Sequence, residues 1–235
     1  YISYFQVDNP LIRIFDCLFV GLHVLDKSQM SSKALLKAGP KEKVGNFCMV
    51  DGKVQVIEYS DLPDEKAEMR NDDGSLMFNL GSIGIHMIDV SFVEQLNAKG
   101  FSLPLHRAVK KIPHIDAEGN YIEPEEPNGV KLEAFVFDAL GFAKNSIIQE
   151  VERSEEFAPT KNATGVDSPE TARQMILDRS ARWLEEAGIE LPKKPDGTID
   201  AKIEMSGSFA LEPEDIEEKP EKVPAIRPGD ELYLE

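Results

Sequence analysis

The chain has 235 residues, 41% of them apolar, and 43 acidic against 26 basic side chains give it a formal net charge of −17. That length can bury the core of one large domain or of a domain with an appendage. So acidic a surface excludes a nucleic-acid backbone as partner, and with no eighteen-residue apolar run and no basic-then-apolar start, neither membrane span nor secretion signal is expected and a cytoplasmic location is.

The first residues, YISYFQV, are β-prone and run out at Asp8 and Asn9, so the chain opens inside a strand without an initiator methionine. Asp8, followed by Asn9 and Pro10, stands where an α/β sheet presents a carboxylate to a ligand; a turn or helix-capping aspartate is the other reading. A second β region covers Lys33 to Lys37, and a hairpin is predicted from VGNFCMV through the turn Asp51-Gly52 to KVQVIEY, closed by Glu58 and Tyr59. A polar helix follows from Leu62 to Arg70, and Asn71 to Gly74 breaks it. The apolar run LMFNLGSIGIHMIDV then carries two interior glycines, a sign that backbone approaches something closely. Beyond it the pattern predicts a helix over Ser91 to Lys99, extended chain over Val109 to Ile115 and a turn-rich excursion over Asp116 to Gly129. A helix over Glu133 to Ala143 and a strand over Ser146 to Arg153 complete the alternation.

The next stretch, EEFAPTKNATGVDSPETAR, reads as a rigid polar loop followed at once by a long helix. Pro159 and Asn162 bracket Lys161, proline by fixing a backbone torsion and asparagine by closing a turn through its side chain. Such a lysine is either a solvated surface cation or a pointed one. Ser168 and Pro169 match an N-cap with proline at the first helical position, and Ala172, Met175, Ile176, Trp183, Leu184 and Ala187 recur near helical spacing up to Gly188. Trp183 reads as a packing residue. After Gly188 the chain turns to proline, glycine and short β-prone pieces, so residues 190–235 are expected to form a small β-rich appendage to a domain over 1–189, with the acidic LEPEDIEEKPEK exposed. Strands alternating with helices indicate an α/β domain with a mainly parallel or mixed sheet. Cys17 and Cys48 lie in apolar surroundings and are expected as reduced core thiols; with the histidines at 23, 86, 106 and 114 they make no zinc-binding spacing.

Seven short stretches, each weak alone, occur in one order: YFQVDNPL, PKEKVGNF, VIEYSDL, LMFNLGSIGIH, KKIPHID, PNGVKLEAFVFD and the Lys161 loop. In this order they resemble the eukaryotic-type UDP-N-acetylglucosamine pyrophosphorylases, within the wider UTP-dependent sugar-1-phosphate uridylyltransferases, over roughly residues 1 to 190. The resemblance implies a nucleotide-diphospho-sugar transferase fold, Rossmann-like and of GT-A type, with a small C-terminal β domain. It also implies formation of a UDP-sugar and pyrophosphate from UTP and a sugar 1-phosphate, with Mg2+ as cofactor and no covalent enzyme intermediate.

Carried over position by position, the resemblance makes Asp8 the magnesium ligand. Gly45 would approach the sugar through its backbone, and Glu58, Tyr59, Asn79 and Ser82 would line the sugar site. Lys131 and Lys161 would neutralise phosphate charge, as suits a mobile ammonium. Phe135 and Phe137 would flank the sugar, unless they are core residues. Two departures stand out. Family members read FNxGNI where this chain has Ser82, which leaves N-acetylglucosamine, N-acetylgalactosamine and glucose 1-phosphates all open. The family's glycine-rich nucleotide loop, LxGGxGTRLG-like, is not in this sequence, so the chain reads as the C-terminal part of a longer enzyme and is expected to be inactive alone. A sugar-phosphate or UDP-sugar binding module without catalysis, and a structural domain with an acidic tail, are the competing readings.

Overall fold

Strands formed between Met30 and Ile88 make up most of the sheet that organises the first part of the chain. The computed structural model describes residues 1–98, 100 and 103–235. These divide into two units, one of Tyr1–Phe5 with Ile14–Glu150 and the other of Gln6–Arg13 with Val151–Glu235. Within the second unit Trp183 and Leu184 share one apolar core with Ile203, Phe209, Ile216 and Leu234 of the tail.

In the first unit β1 (Ile2–Tyr4) leads to α1 (Cys17–Asp26), β2 (Met30–Leu36), β3 (Gly45–Val50), β4 (Lys53–Ile57), the short α2 (Asp64–Ala67), β5 (Leu80–Ile88) and α3 (Val90–Asn97). After these come β6 (His106–Lys110), β7 (His114–Ile115), β8 (Tyr121–Ile122), β9 (Gly129–Glu133), a 3-10 helix over Val136–Phe142 and β10 (Ile148–Glu150). The main sheet has the order β10-β2-β5-β3-β4, with β1 added to the end of β5. Only β10 and β2 run parallel in it, so the sheet is mixed, as expected. Met30, Ala34, Phe47, Val56, Ile88, Phe92 and Leu140 pack its core.

The hairpin forms as read, with φ of 51° at Asp51 and 75° at Gly52, the left-handed pair that a tight turn between twisted strands requires. Two expectations fail. Glu133 to Ala143 is no α-helix: Glu133 ends β9, paired with His106 across the β6–β9 ribbon, and only a 3-10 helix follows from Val136. Cross-strand pairing outweighs the local helical pattern there, and Phe135 stays extended. Cys17 is exposed, because α1 turns Phe19 and His23, four residues apart, to the core and leaves Leu18 and Leu25 outside. Cys48 is half-buried, and that burial pushes its thiol up. The expected helix over 91–99 begins at Val90; its last predicted residue, Lys99, lies outside the described residues.

Buried polar groups cluster beneath the sheet. Lys33 is fully buried with its Nζ 2.5 Å from Asp16 Oδ2, while the other oxygen of Asp16 caps α1 by accepting from the backbone N–H of Leu18 and Phe19. His23 and His86, both fully buried, meet the hydroxyls of Ser31 and Ser32 at 2.7 and 2.8 Å. Burial drives the His86 ring down from 6.5 to about 4, and burial also lowers His23 against the opposing charge of Asp89. Since the unfolded His86 ring protonates near 6.5, its contribution is complete above that pH and is lost as pH falls to about 4, up to about 3 kcal/mol. Urea midpoints should therefore drop between pH 7 and pH 4.5, and drop less in a His86→Asn chain; equal slopes for the two would refute the assignment.

The second unit opens with α4 (Arg153–Glu156) and α5 (Pro169–Glu186), and continues through β11 (Ala201–Met205), α6 (Pro213–Glu217) and β12 (Asp230–Leu234). Helix α5 starts as predicted, with Ser168 and Thr171 exchanging side-chain to backbone bonds around Pro169. Trp183 packs as expected, donates its indole N–H to Glu155 at 2.9 Å and lies under the guanidinium groups of Arg13 and Arg179. The tail's β content is the parallel pair β11–β12. Among the described residues no helix is long and apolar enough to cross a membrane.

Candidate functional site

Two groups of the expected residues emerge, one in each unit. In the first, Gly45 begins β3 and pairs in register with Ser82 of β5, beside the pair Asn46 and Gly81. A Cβ built on Gly45 would stand 2.5 Å from Val56 Cγ1, 3.5 Å from Ser82 Cβ and 3.8 Å from Glu58 Oε2. Glycine is therefore required by contact and not by an unusual torsion, and its backbone packs close to Val56, Ser82 and Glu58. Ser82 is buried and Glu58 half-buried, whereas Tyr59 is 44% exposed in the turn after β4. The backbone carbonyl of Asn79, just before β5, accepts the backbone N–H of Lys37 at 2.8 Å.

Two residues that the motif reading passed over complete this group. Lys37 donates its ammonium to Asn46 Oδ1 at 2.5 Å and to the Pro40 carbonyl at 3.2 Å. Burial lowers its pKa while Glu42 opposes that. The fully buried Asn46 also donates to the carbonyl of Ile57, so it clamps the edge of β3 against the strand leading to Glu58. A lysine and an asparagine inside β-prone runs were the available signal.

Lys131 sits elsewhere in the same unit, on β9, where its side chain is 63% exposed and its ammonium is held by Glu133 at 2.6 Å. Phe135 and Phe137 stack with ring centroids 4.9 Å apart and planes 16° apart. Phe137 lines an open pocket of about 340 Å³ with Gln55, Pro104, Asp138 and Gly141.

In the second unit the chain joins Asp8 to the Lys161 loop. Asp8 is half-buried in a turn four residues past the end of β1, not at a strand end as expected, and its carbonyl accepts from Thr160 N–H at 2.8 Å. The neighbouring Asn9, 4% exposed, donates its side-chain amide to the Glu156 carbonyl and accepts from Ala158 N–H. This asparagine was missed as a site-former; a lone Asn-Pro pair signals only a turn. The loop itself closes as predicted: Asn162 donates its side chain to the Val166 carbonyl, and the backbone N–H groups of Lys161 and Asn162 both reach the carbonyl of Asp167. Gly165 and Asp167 take φ of 79° and 54° to allow it. Lys161 is exposed, its ammonium 5.7 Å above the Phe157 ring. An open pocket of about 390 Å³ beside it is lined by Pro10, Thr160, Pro169 and Arg173.

A mixed α/β sheet in which a glycine of an inner strand lies close to a carboxylate and a serine, in a chain with a separate lysine loop, has the fold of the nucleotide-diphospho-sugar transferases. The crystal structure of the uridine diphosphate N-acetylglucosamine pyrophosphorylase from Trypanosoma brucei superposes with a TM-score of 0.75 at 25% identity, over all of this chain and 49% of that one. The chain belongs to the UTP–glucose-1-phosphate uridylyltransferase family, whose model matches residues 1–235. It is 41% identical to the human UDP-N-acetylhexosamine pyrophosphorylase-like protein 1 over 92% of this chain and 46% of the relative. Identity to the UDP-N-acetylglucosamine pyrophosphorylase of Saccharomyces cerevisiae is 35%, over 92% of this chain and 46% of that enzyme. The chain thus spans about half the length of these relatives.

Proposed function

We propose that this chain supplies the sugar-binding and phosphate-binding part of a cytoplasmic uridylyltransferase that makes a UDP-N-acetylhexosamine and pyrophosphate from UTP and the sugar 1-phosphate. The observation that carries this reading is the close approach of the Gly45 backbone to Glu58 and Ser82. A carboxylate and a serine hydroxyl close to one another suit sugar hydroxyls, which both donate and accept. The names of the relatives favour the hexosamine, and Ser82 in place of a family asparagine leaves the glucose enzyme as the nearest variant.

In this scheme the phosphate oxygen of the sugar 1-phosphate attacks the α-phosphorus of UTP in line and the bond to the pyrophosphate leaving group breaks. Charge spreads over the phosphoryl oxygens in the transition state, so Lys161 and Lys131 act by neutralising it. The exposed Lys161 ammonium on a loop closed by backbone bonds fits that role. Lys131 must exchange Glu133 for a phosphate oxygen to take part.

Asp8 is the residue assigned to hold magnesium, which would offset phosphate charge there. Among the described residues no group of three His, Cys, Asp or Glu could hold a metal by itself. A single carboxylate nevertheless suits magnesium, which keeps waters and draws its other ligands from substrate phosphates. Tyr59, Asn79, Phe135 and Phe137 are assigned to the sugar side.

Titrating UDP-N-acetylglucosamine into the chain should give a saturable heat, without turnover. Gly45→Val should abolish that heat while the circular dichroism spectrum is retained, because its side chain would meet Val56 and fill the space beside Glu58. No heat from the wild-type chain at millimolar ligand would overturn the assignment.

A further inference from the structure

His106 has no part in the scheme above, yet three segments converge on it. Its Nε2 lies 2.9 Å from Asp138 Oδ2 in the 3-10 helix, and its Nδ1 lies 3.8 Å from Asp61 Oδ2. Its ring also packs on Phe135, centroids 4.8 Å apart. Asp61 closes the turn after β4, where the backbone N–H groups of Asp61 and Leu62 both donate to the carbonyl of Glu58. On the other side, His106 opens β6 and pairs in register with Glu133, as Ala108 does with Lys131. Paired residues of an antiparallel ribbon share a face, so His106, Glu133 and Lys131 lie along one side of it.

We propose that His106 is a positioning residue that latches the β6–β9 ribbon carrying Lys131 to the turn carrying Glu58. The latch rests on the reading of Glu58 and Lys131 as substrate-facing groups, but its geometry stands apart from that reading. The ribbon needs an anchor. Val109, Val130 and Leu132 along it are exposed, so apolar packing fixes little of its length. The charges facing the ring are Asp61 from the turn, Asp138 from the 3-10 helix and Glu133 from β9, the last already engaged by Lys131. An imidazole N–H donated to Asp138, with a second carboxylate at its other nitrogen, holds two otherwise separate segments at one point. Glu58 and Lys131 are then presented in a fixed relation, and the arriving phosphate meets a lysine whose strand does not swing.

The test compares His106→Phe, which keeps a ring against Phe135 but has no donor, with His106→Gln, which keeps a donor for Asp138. Two quantities are read on the intact chain: hydrogen exchange at the β6 and β9 amides, and affinity for UDP-N-acetylglucosamine. His106→Phe should speed exchange and weaken binding each by about tenfold, the usual cost of one hydrogen bond to a charged group, and His106→Gln should return both to within about twofold of the parent. Unchanged exchange in His106→Phe overturns the latch. Faster exchange with unaltered affinity overturns positioning. Failure of His106→Gln to restore either quantity means that ring shape and not the donor matters, and also refutes it. A wild-type chain that binds no nucleotide sugar removes the sugar site itself, while the exchange comparison still decides the latch.

Discussion

An Asp16→Ala chain should be less stable than the parent by about 3–5 kcal/mol, measured by urea unfolding at pH 7. The loss comes from breaking a buried ion pair and its hydrogen bond. Lys33 is fully buried, its ammonium within 2.5 Å of the Asp16 carboxylate and 5.4 Å from the Phe19 ring, and no long side chain at this depth can turn its charge out to water. Burial by itself would raise the Asp16 pKa, yet the Lys33 bond and charge, with the backbone amides of Phe19 and Leu18, hold it below the ordinary range. Alanine also removes the cap of α1, a further contribution of about 1 kcal/mol. Asp16→Asn separates the two effects, since an amide oxygen can still cap the helix while carrying no charge. It should recover the cap's share only, and an Asp16→Ala chain within about 1 kcal/mol of the parent would show that the ammonium is compensated by other groups.

Lys161→Ala makes the opposite demand, a large loss of rate with little loss of stability. In a polypeptide of the relatives' full length, pyrophosphate release from UTP and N-acetylglucosamine 1-phosphate should fall about a hundredfold, as when one preorganised positive group is removed from a phosphoryl-transfer site. The loop should survive, because its closure uses the backbone N–H of Lys161 and Asn162 and the side chain of Asn162, not the lysine ammonium. The Lys161 side chain gives up only its contact with the Phe157 ring, worth about 0.5–1 kcal/mol at an exposed position. A rate within twofold of the parent would remove Lys161 from the chemistry, and a collapsed melting transition would assign it to structure instead.

These two lysines also mark where sequence reading succeeds and where it stops. Lys161 is legible because everything that holds its loop is near it in the chain: Pro159, Asn162, Gly165 and the cap at Ser168. The Asp51-Gly52 hairpin is legible for the same reason. Lys33 gives no such sign, since only the fold brings Asp16 to it and dries the surroundings. Helix α1 escaped notice because CLFVGLHVL is apolar on every side and shows no 3.6-residue rhythm, although Asp16 as a cap was there to be seen. Glu133 misled in the other direction: its local pattern is helical, but pairing with His106, 27 positions earlier in number, draws it into a strand. The group around Gly45 was legible through family resemblance alone. Gly45, Glu58 and Ser82 become one place only when β3, β4 and β5 are adjacent, and Lys37 and Asn46 are ordinary polar residues until then.

Asn9 holds together parts of the chain that are made far apart in time. Its amide and carbonyl bind residues 147 and 149 positions downstream, and Arg179 reaches back to the Leu11 carbonyl across 168. During synthesis the segment Gln6–Arg13 therefore leaves the ribosome long before any of its partners exists. It must wait, unpaired, while Ile14–Glu150 is being added, and such long closures are slow as well as late. The Asp8 turn and the Lys161 loop can be joined only after the chain has been extended well past residue 161, so a nascent or prematurely ended polypeptide lacks that junction however well its sheet has formed.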